Sequence, residues 1–370
     1  MKKKRIIILH SSNDLYGASK VLVQLIEILI DIGFEINLIL PYKGPLDSLL
    51  NNKVKISHKN LGVFRKKYLN FFGVFNRIIK ILNAIFFLNK IIKKNKIEFV
   101  YTNTSVIIAG GIIAKIHGLK SYFHIHEIPK NNFYSLIISH IINICSDKII
   151  VVSNAVKDHW IRLRSENVYK IYNGINFKTK KNVKFKKNNQ ITFTNIGRLI
   201  PYKGHIYFIK IAKKLLRKNS NLKFYIVGDT FKGYEHYERE LKDLVKCYRL
   251  QKKIIFTGYQ NDISKYLLKS NFFLHTTIEP DPLPTVIFEA ILSKTPIIAT
   301  NHGGVVEIID FGKGGLLIPY NDHIQAGNLI EKYLLNKRLI KQQREYALDF
   351  TIKNFSYENF KKNIIKLFKP

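Results

Sequence analysis

The chain has 370 residues, of which 46% are hydrophobic, so it is long enough for about two domains and can bury a sizeable core. It carries 61 Lys and Arg against 26 Asp and Glu, a formal charge of +35. The excess is spread over both halves, with 28 basic and 10 acidic groups in residues 1–180 and 33 and 16 in the rest, so no nucleic-acid partner is expected.

The opening MKKKRIIILH has only four consecutive apolar residues before His10 and the polar Ser11 to Asp14. That is too short for a secretory leader and reads as a buried first parallel strand over 6–9. Gly17-Ala18-Ser19 opens a helical pattern over 18–32, and a strand follows at 35–40. From Phe64 to Lys96 there are nine Lys and Arg and no acid. Within that stretch Phe75 to Lys94 alternates apolar and basic residues at helical spacing. Two readings stand: a basic amphipathic helix docked on an anionic membrane surface, or a core-facing helix with a solvated basic face. Strands at 98–102, 121–125 and 148–152 alternate with helical segments at 105–117 and 133–145. Residues 176–190, rich in Lys and Asn and without apolar periodicity, read as a linker after this half.

The pattern then repeats, with strands near 191–195, 223–227, 254–257, 272–275, 296–299 and 316–318. Alternating strand and helix implies an α/β fold with parallel sheets covered on both faces, and ligands at the strands' carboxyl ends. Cys145 and Cys247 are too few for a disulfide framework, so a reducing compartment is expected. No stretch reaches the roughly 18 uninterrupted apolar residues of a membrane span.

Several strand ends carry candidate chemistry. Asn195-Ile196-Gly197-Arg198-Leu199 followed by Lys203-Gly204 is a glycine turn with two cations, suited to a diphosphate. Phe224 to Asp229 is a buried strand ending in Gly228. His124-Ile125-His126-Glu127 ends another. The richest stretch is EPDPLPTVIFEAILSKTPIIATNHGGVVEII. In it Asp281 and Glu289 stand either side of a proline-rich turn that opens a short helix, followed by a strand and a Gly303-Gly304 loop leading to Glu307. Carboxylates accept hydrogen bonds from sugar hydroxyls, and the N–H groups of Leu283, Thr285 and Val286 face the place for a phosphate.

These segments, in this order, resemble the retaining glycosyltransferases of family 4. Glu289-Ala290, Lys294 to Thr300, and Gly303-Gly304 with Glu307 match that family's acidic signature, and Gly197-Arg198-Leu199 with Lys203-Gly204 matches its phosphate clamp. Gly17-Ala18-Ser19 resembles its first phosphate-facing loop, and His126 its strand-end histidine. Asp281 departs from the usual first Glu and Pro284 from a usual glycine; the proline removes one backbone donor. Glu279 is a second candidate for the first acid.

The resemblance implies the GT-B fold: two Rossmann-like parallel-sheet domains facing a central cleft. The acceptor domain is expected over 1–175, the linker over 176–190 and the donor domain over 191–350, with residues 351–370 crossing back as a final helix. It further implies a nucleotide diphospho-sugar donor and a glycan or lipid-linked acceptor in surface polysaccharide assembly (capsule, O-antigen or exopolysaccharide), on the cytoplasmic side. In that scheme Asp281, His126, Arg198 and Lys203 are catalytic; Glu289, Gly17, Gly197, Gly228, Leu283, Thr285 and Val286 bind donor. No metal or other cofactor is expected, since no D-x-D motif is present and two cations already serve the phosphates. The rival readings are a nucleotide-sugar epimerase or sugar phosphorylase of the same fold, a transferase made inactive by Asp281 and Pro284, and a non-catalytic polyanion- or membrane-binding protein.

Overall fold

A computed structural model describes residues 4–64, 68, 70–129, 132–160, 163, 165–176, 190–230 and 233–369. The chain divides into two compact units, one of residues 1–174 and 357–370, the other of 175–356. Nearly all of the expected linker, residues 177–189, lies outside the described residues.

The first unit runs β1 (Lys4–Leu9), α1 (Gly17–Asp31), β2 (Phe34–Leu40), α2 (Pro45–Leu50), β3 (Lys55–His58), α3 (Phe71–Asn95), β4 (Phe99–Thr102), α4 (Ala109–Ile116), β5 (Lys120–Ile125), α5 (Asn132–Cys145), β6 (Lys148–Val151), α6 (Asn154–His159) and β7 (Val168–Lys170). Its seven strands are ordered β3-β2-β1-β4-β5-β6-β7 and every pairing is parallel. Ile6 to Leu9 are fully buried because the sheet is covered on both faces. Ile6 and Ile8 face α1, while Ile7 and Leu9 face α3 and α4. β3 and β7 were not expected from sequence. They are short edge strands whose residues are mostly exposed or half-buried, so no continuous apolar run marks them.

The second unit runs β8 (Ile191–Ile196), α7 (His205–Leu216), β9 (Leu222–Val227), α8 (Glu235–Cys247), β10 (Ile254–Phe256), α9 (Ser264–Leu267), β11 (Phe272–His275), α10 (Thr285–Leu292), β12 (Ile297–Thr300), α11 (Val305–Ile308), β13 (Leu316–Ile318), α12 (His323–Leu335) and α13 (Lys337–Phe355). Its six strands are ordered β10-β9-β8-β11-β12-β13, again all parallel. The order reverses direction at β8 and β11, the switch point where such sheets bind ligands.

The final helix, α14 (Tyr357–Phe368), belongs to the first unit, whereas residues 351–355 complete α13 in the second. The break falls at Ser356, whose backbone is extended, and Ile175 donates to Phe355 O beside it at 2.8 Å. Phe368 explains where α14 docks: its ring meets those of Phe34, Phe99 and Tyr122 at 5.3, 6.0 and 5.1 Å. Burying such a side chain is worth about 2 kcal/mol.

The basic stretch forms one long helix that begins earlier than its alternating pattern. Asn70 caps α3 by accepting from Gly73 N at 2.7 Å, and Lys96 ends it in the left-handed conformation. Lys93 and Lys94 in its last turn oppose the negative end of the helix dipole. Neither sequence reading of this segment describes it fully. Ile81, Ala84, Leu88 and Ile92 face the core, and Arg77 is buried with its guanidinium 4.0 Å from the Tyr68 ring. The outward face is largely apolar rather than basic.

Candidate functional site

Each unit brings a distinct set of groups to the carboxyl edge of its sheet. In the second unit the set rests on close backbone approach. Gly197 N donates to Val227 O at 3.0 Å and Leu199 N to Asp229 O at 3.0 Å, tying the end of β8 to the end of β9. Gly228 has φ of +140°, and a Cβ there would lie 2.0 Å from Gly197 O, so only glycine fits. Gly204, φ +73°, sits against Thr276 O in the same way, at 1.7 Å from where its Cβ would be. Thr276 Oγ1 donates to Gly204 O, and Asn195 Nδ2 donates to Leu274 O and Thr276 Oγ1. The Arg198–Lys203 turn is thus held by β8 and β11 together, with Arg198 exposed and Lys203 largely buried.

Lys203 Nζ forms an ion pair with Asp281 Oδ2. Sequence reasoning placed these two on different parts of a donor; the fold joins them. Burial opposes charge on Lys203, and the Asp281 carboxylate more than offsets it, so its pKa is raised. Burial likewise works against the Asp281 charge, and Lys203 overcomes that and holds its pKa below the usual carboxylate value. The Asp281 loop is braced by the Gly303-Gly304 turn: Gly304 N donates to Asp281 O at 2.8 Å, and a Cβ on Gly304 would lie 2.1 Å from Pro282 O. α10 starts directly after, with Pro284 as N-cap and no side-chain cap. Its first N–H groups, at Thr285 and Val286, have no carbonyl one turn back to accept them. Leu283 is buried beside them, and Glu289 lies exposed in the body of α10.

In the first unit the set is a chain of side chains. His10, just after β1, is buried; Asn103 Nδ2 donates to its Nδ1 at 3.2 Å. With that nitrogen accepting, Nε2 carries the proton and donates to Ser19 Oγ at 3.0 Å, and Ser19 Oγ donates to Asp14 Oδ1 at 2.8 Å. On the other side His126 Nε2 donates to Asn103 Oδ1 at 3.0 Å. The chain therefore runs from Asp14 in the loop before α1, and Ser19 in the first turn that Gly17 opens, past the ends of β1 and β4 to His126 after β5. Burial pulls the His10 pKa down to about 4 and that of His124, 4.1 Å from the His126 ring, to about 3; burial also takes His126 well below its ordinary value. All three are neutral imidazoles at pH 7. Glu127 anchors the neighbouring loop, accepting from Ser105 N and Oγ at 3.1 and 2.9 Å and from Thr104 Oγ1.

Ser19 belongs to the Gly17-Ala18-Ser19 motif, whereas Asn103, His10 and Asp14 were not singled out as site residues by sequence. Their one signal was position, since His10 and Asn103 each follow a buried strand. Among the described residues no three His, Cys, Asp or Glu side chains are grouped to hold a metal ion.

Two parallel-sheet units of this kind, each with its polar groups at the carboxyl edge, define a GT-B-type protein. Solved structures agree on the fold. A glycosyltransferase from Rickettsia africae superposes with a TM-score of 0.81 at 22% identity, over 99% of this chain and 98% of that one. Anabaena HepE in complex with UDP and glucose gives 0.77 at 19% identity, covering 98% of both. Residues 16–179 match the family described as Glycosyltransferase Family 4, and residues 176–350 match Glycosyl transferases group 1. The chain belongs to the family 4 glycosyltransferases and is a transferase enzyme. It is 28% identical over 341 residues to the Escherichia coli UDP-Gal:alpha-D-GlcNAc-diphosphoundecaprenol alpha-1,3-galactosyltransferase, spanning 83% of this chain and 82% of the relative. It is 24% identical to a Campylobacter jejuni diphospho-undecaprenol N-acetylgalactosaminyltransferase, spanning 68% and 70%.

Proposed function

We propose that this enzyme transfers a sugar, with retention of anomeric configuration, from a nucleotide diphospho-sugar to a hydroxyl of a lipid-linked glycan. The setting is surface polysaccharide assembly at an anionic membrane surface on the cytoplasmic side. The observation that carries the donor reading is the glycine-pinned turn at the end of β8, which sets Arg198 and Lys203 at the switch point of the second sheet. The lipid-linked acceptor is supported by the two diphospho-undecaprenol relatives. UDP-hexoses are the first donors to test, because the Escherichia coli relative uses UDP-Gal and the Anabaena structure holds UDP.

In this reading Arg198, Lys203 and the N–H groups of Leu283, Thr285 and Val286 take up the charge that develops on the departing diphosphate, usually the largest catalytic term. The glycines Gly197 and Gly228 let the backbone come close, and Gly17 does the same for phosphate in the first unit. Glu289 accepts from the ribose hydroxyls. Asp281 and His126 orient the donor sugar, and Asp281 also holds Lys203 in place. The acceptor oxygen bonds to the anomeric carbon as the bond to the diphosphate breaks, and the acceptor proton passes to the leaving phosphate oxygen. Charge neutralisation falls to the two cations, without a metal.

A thermal-shift panel of UDP-, GDP-, ADP- and CDP-sugars in chelator tests this directly. One donor should raise the melting temperature of the wild type and not of Glu289→Ala. No shift with any donor overturns the reading. With the donor known, the coupling constant of the product's anomeric proton decides retention.

A further inference from the structure

The outward face of α3 is not the solvated basic surface its composition suggested. Phe71, Phe72, Phe75, Ile78, Leu82 and Phe86 are 83, 83, 60, 48, 49 and 67% exposed. Phe75, Ile78, Leu82 and Phe86 follow Phe71 at spacings of three and four residues and form one stripe with Phe72 at its side, turned away from the face that packs on the core. A second stripe lies on α5, where Phe133, Ile137 and Ile144 are 70, 42 and 48% exposed. Beside it Leu136, Ile137, His140 and Ile141 line a groove of about 390 Å³. α3 packs on α4, and α4 on α5, so both stripes belong to one helical layer. Between them α4 ends in exposed Lys115 and Ile116.

Ordinary surfaces show single exposed apolar residues, not two aligned stripes. Within α3, α4 and α5 themselves the charge has one sign. Residues 71–97 contain no acid, and Lys90, Lys93, Lys94 and Lys96 are exposed at the end of α3. Because both helices follow strands of a parallel sheet, their first turns lie at its carboxyl edge. Phe71, Phe72, Phe75 and Phe133 are therefore on the edge that holds His126 and the start of α1, and the lysines are at the opposite edge.

We infer that the α3–α5 layer is a bilayer-docking face: the aromatic ends enter the interface of an anionic membrane, the lysines meet its headgroups, and a lipid-linked acceptor reaches the His126 edge without leaving the bilayer. The choice of a bilayer rests on the lipid-linked acceptor reading above. α3 is long and apolar enough to cross a membrane. It lies in the interface instead, because Ile81, Ala84, Leu88 and Ile92 are held in the protein core.

The test is flotation of the full chain with vesicles of phosphatidylcholine, with and without about 30% phosphatidylglycerol. Two variants accompany it, Phe72→Ser/Phe75→Ser/Phe86→Ser and Lys90→Gln/Lys93→Gln/Lys94→Gln. The wild type should float with the anionic vesicles and roughly tenfold less with the neutral ones. Each variant should lose about tenfold in partition while keeping its melting temperature and its donor-induced shift. Equal flotation of wild type and variants, or no flotation of a wild type that still binds donor, overturns the docking face. So does a Phe variant that turns a dimer into a monomer, since that gives the face to a second copy. A wild type that floats but shows no donor shift keeps the docking face and removes the donor reading.

Discussion

The two units share one architecture and support their candidate sites by different means. The second unit uses backbone: glycines at Gly204, Gly228, Gly303 and Gly304 let loops touch, and one ion pair joins them. The first unit uses side chains, a chain of neutral histidines and an amide contributed by three strand ends. A site built on close backbone approach leaves glycines at fixed short spacings and shows in sequence. A site built from side chains distant in sequence shows only after the strands pair.

The comparison is broken most sharply at Gly228. Gly228→Ala forces a Cβ to 2.0 Å from Gly197 O and should cost about 3 kcal/mol or more in urea unfolding. Gly118→Ala, also at positive φ but with nothing within 4 Å, should cost only about 1 kcal/mol. Equal losses would mean that the backbone contact in the second unit is not what demands glycine.

Asp281→Ala comes next. It leaves the largely buried Lys203 without its carboxylate and should destabilise by about 2–3 kcal/mol. A double-mutant cycle with Lys203→Met should return a coupling of at least about 1 kcal/mol. Additive losses would deny the pair.

The side-chain network of the first unit is probed by pH. His10, His124 and His126 have folded pKa values below the unfolded value, His10 at about 4. The unfolded chain therefore binds more protons between about pH 6.5 and 4, and their contribution to stability, complete above about 6.5, is lost as pH falls through that window. His205 and His275 in the second unit, each lowered to about 3, add to the same trend. The melting temperature should drop over that range, and a flat profile would contradict neutral buried histidines. Asn103→Leu removes the amide that pairs with both His10 and His126 and should cost about 1–3 kcal/mol. It should lower kcat more than it changes the donor KM, if its role is to position His126.

The smallest effect on stability is expected at Glu289. It is exposed on α10, so Glu289→Ala should change stability by less than about 0.5 kcal/mol while abolishing the donor-induced thermal shift. A large stability loss would make it a structural residue of the second unit.

Much of this protein was written locally. Buried parallel strands such as Ile6 to Leu9 announce themselves as apolar runs, because both faces of the sheet are covered. The glycine turns and the run from Asp281 to Glu307 carry their geometry in adjacent residues, and family membership follows from them. Tertiary structure decided what depends on residues far apart in sequence. It paired Lys203 with Asp281, 78 positions away, and joined His10 to His126 through Asn103. It added β3 and β7 at the sheet edges, where exposure erases the apolar signal. It also settled which face of α3 the core covers. Helical periodicity reports that a helix has two faces, but both faces of α3 are apolar, and only packing against β1 and β4 determines which one is left for another surface.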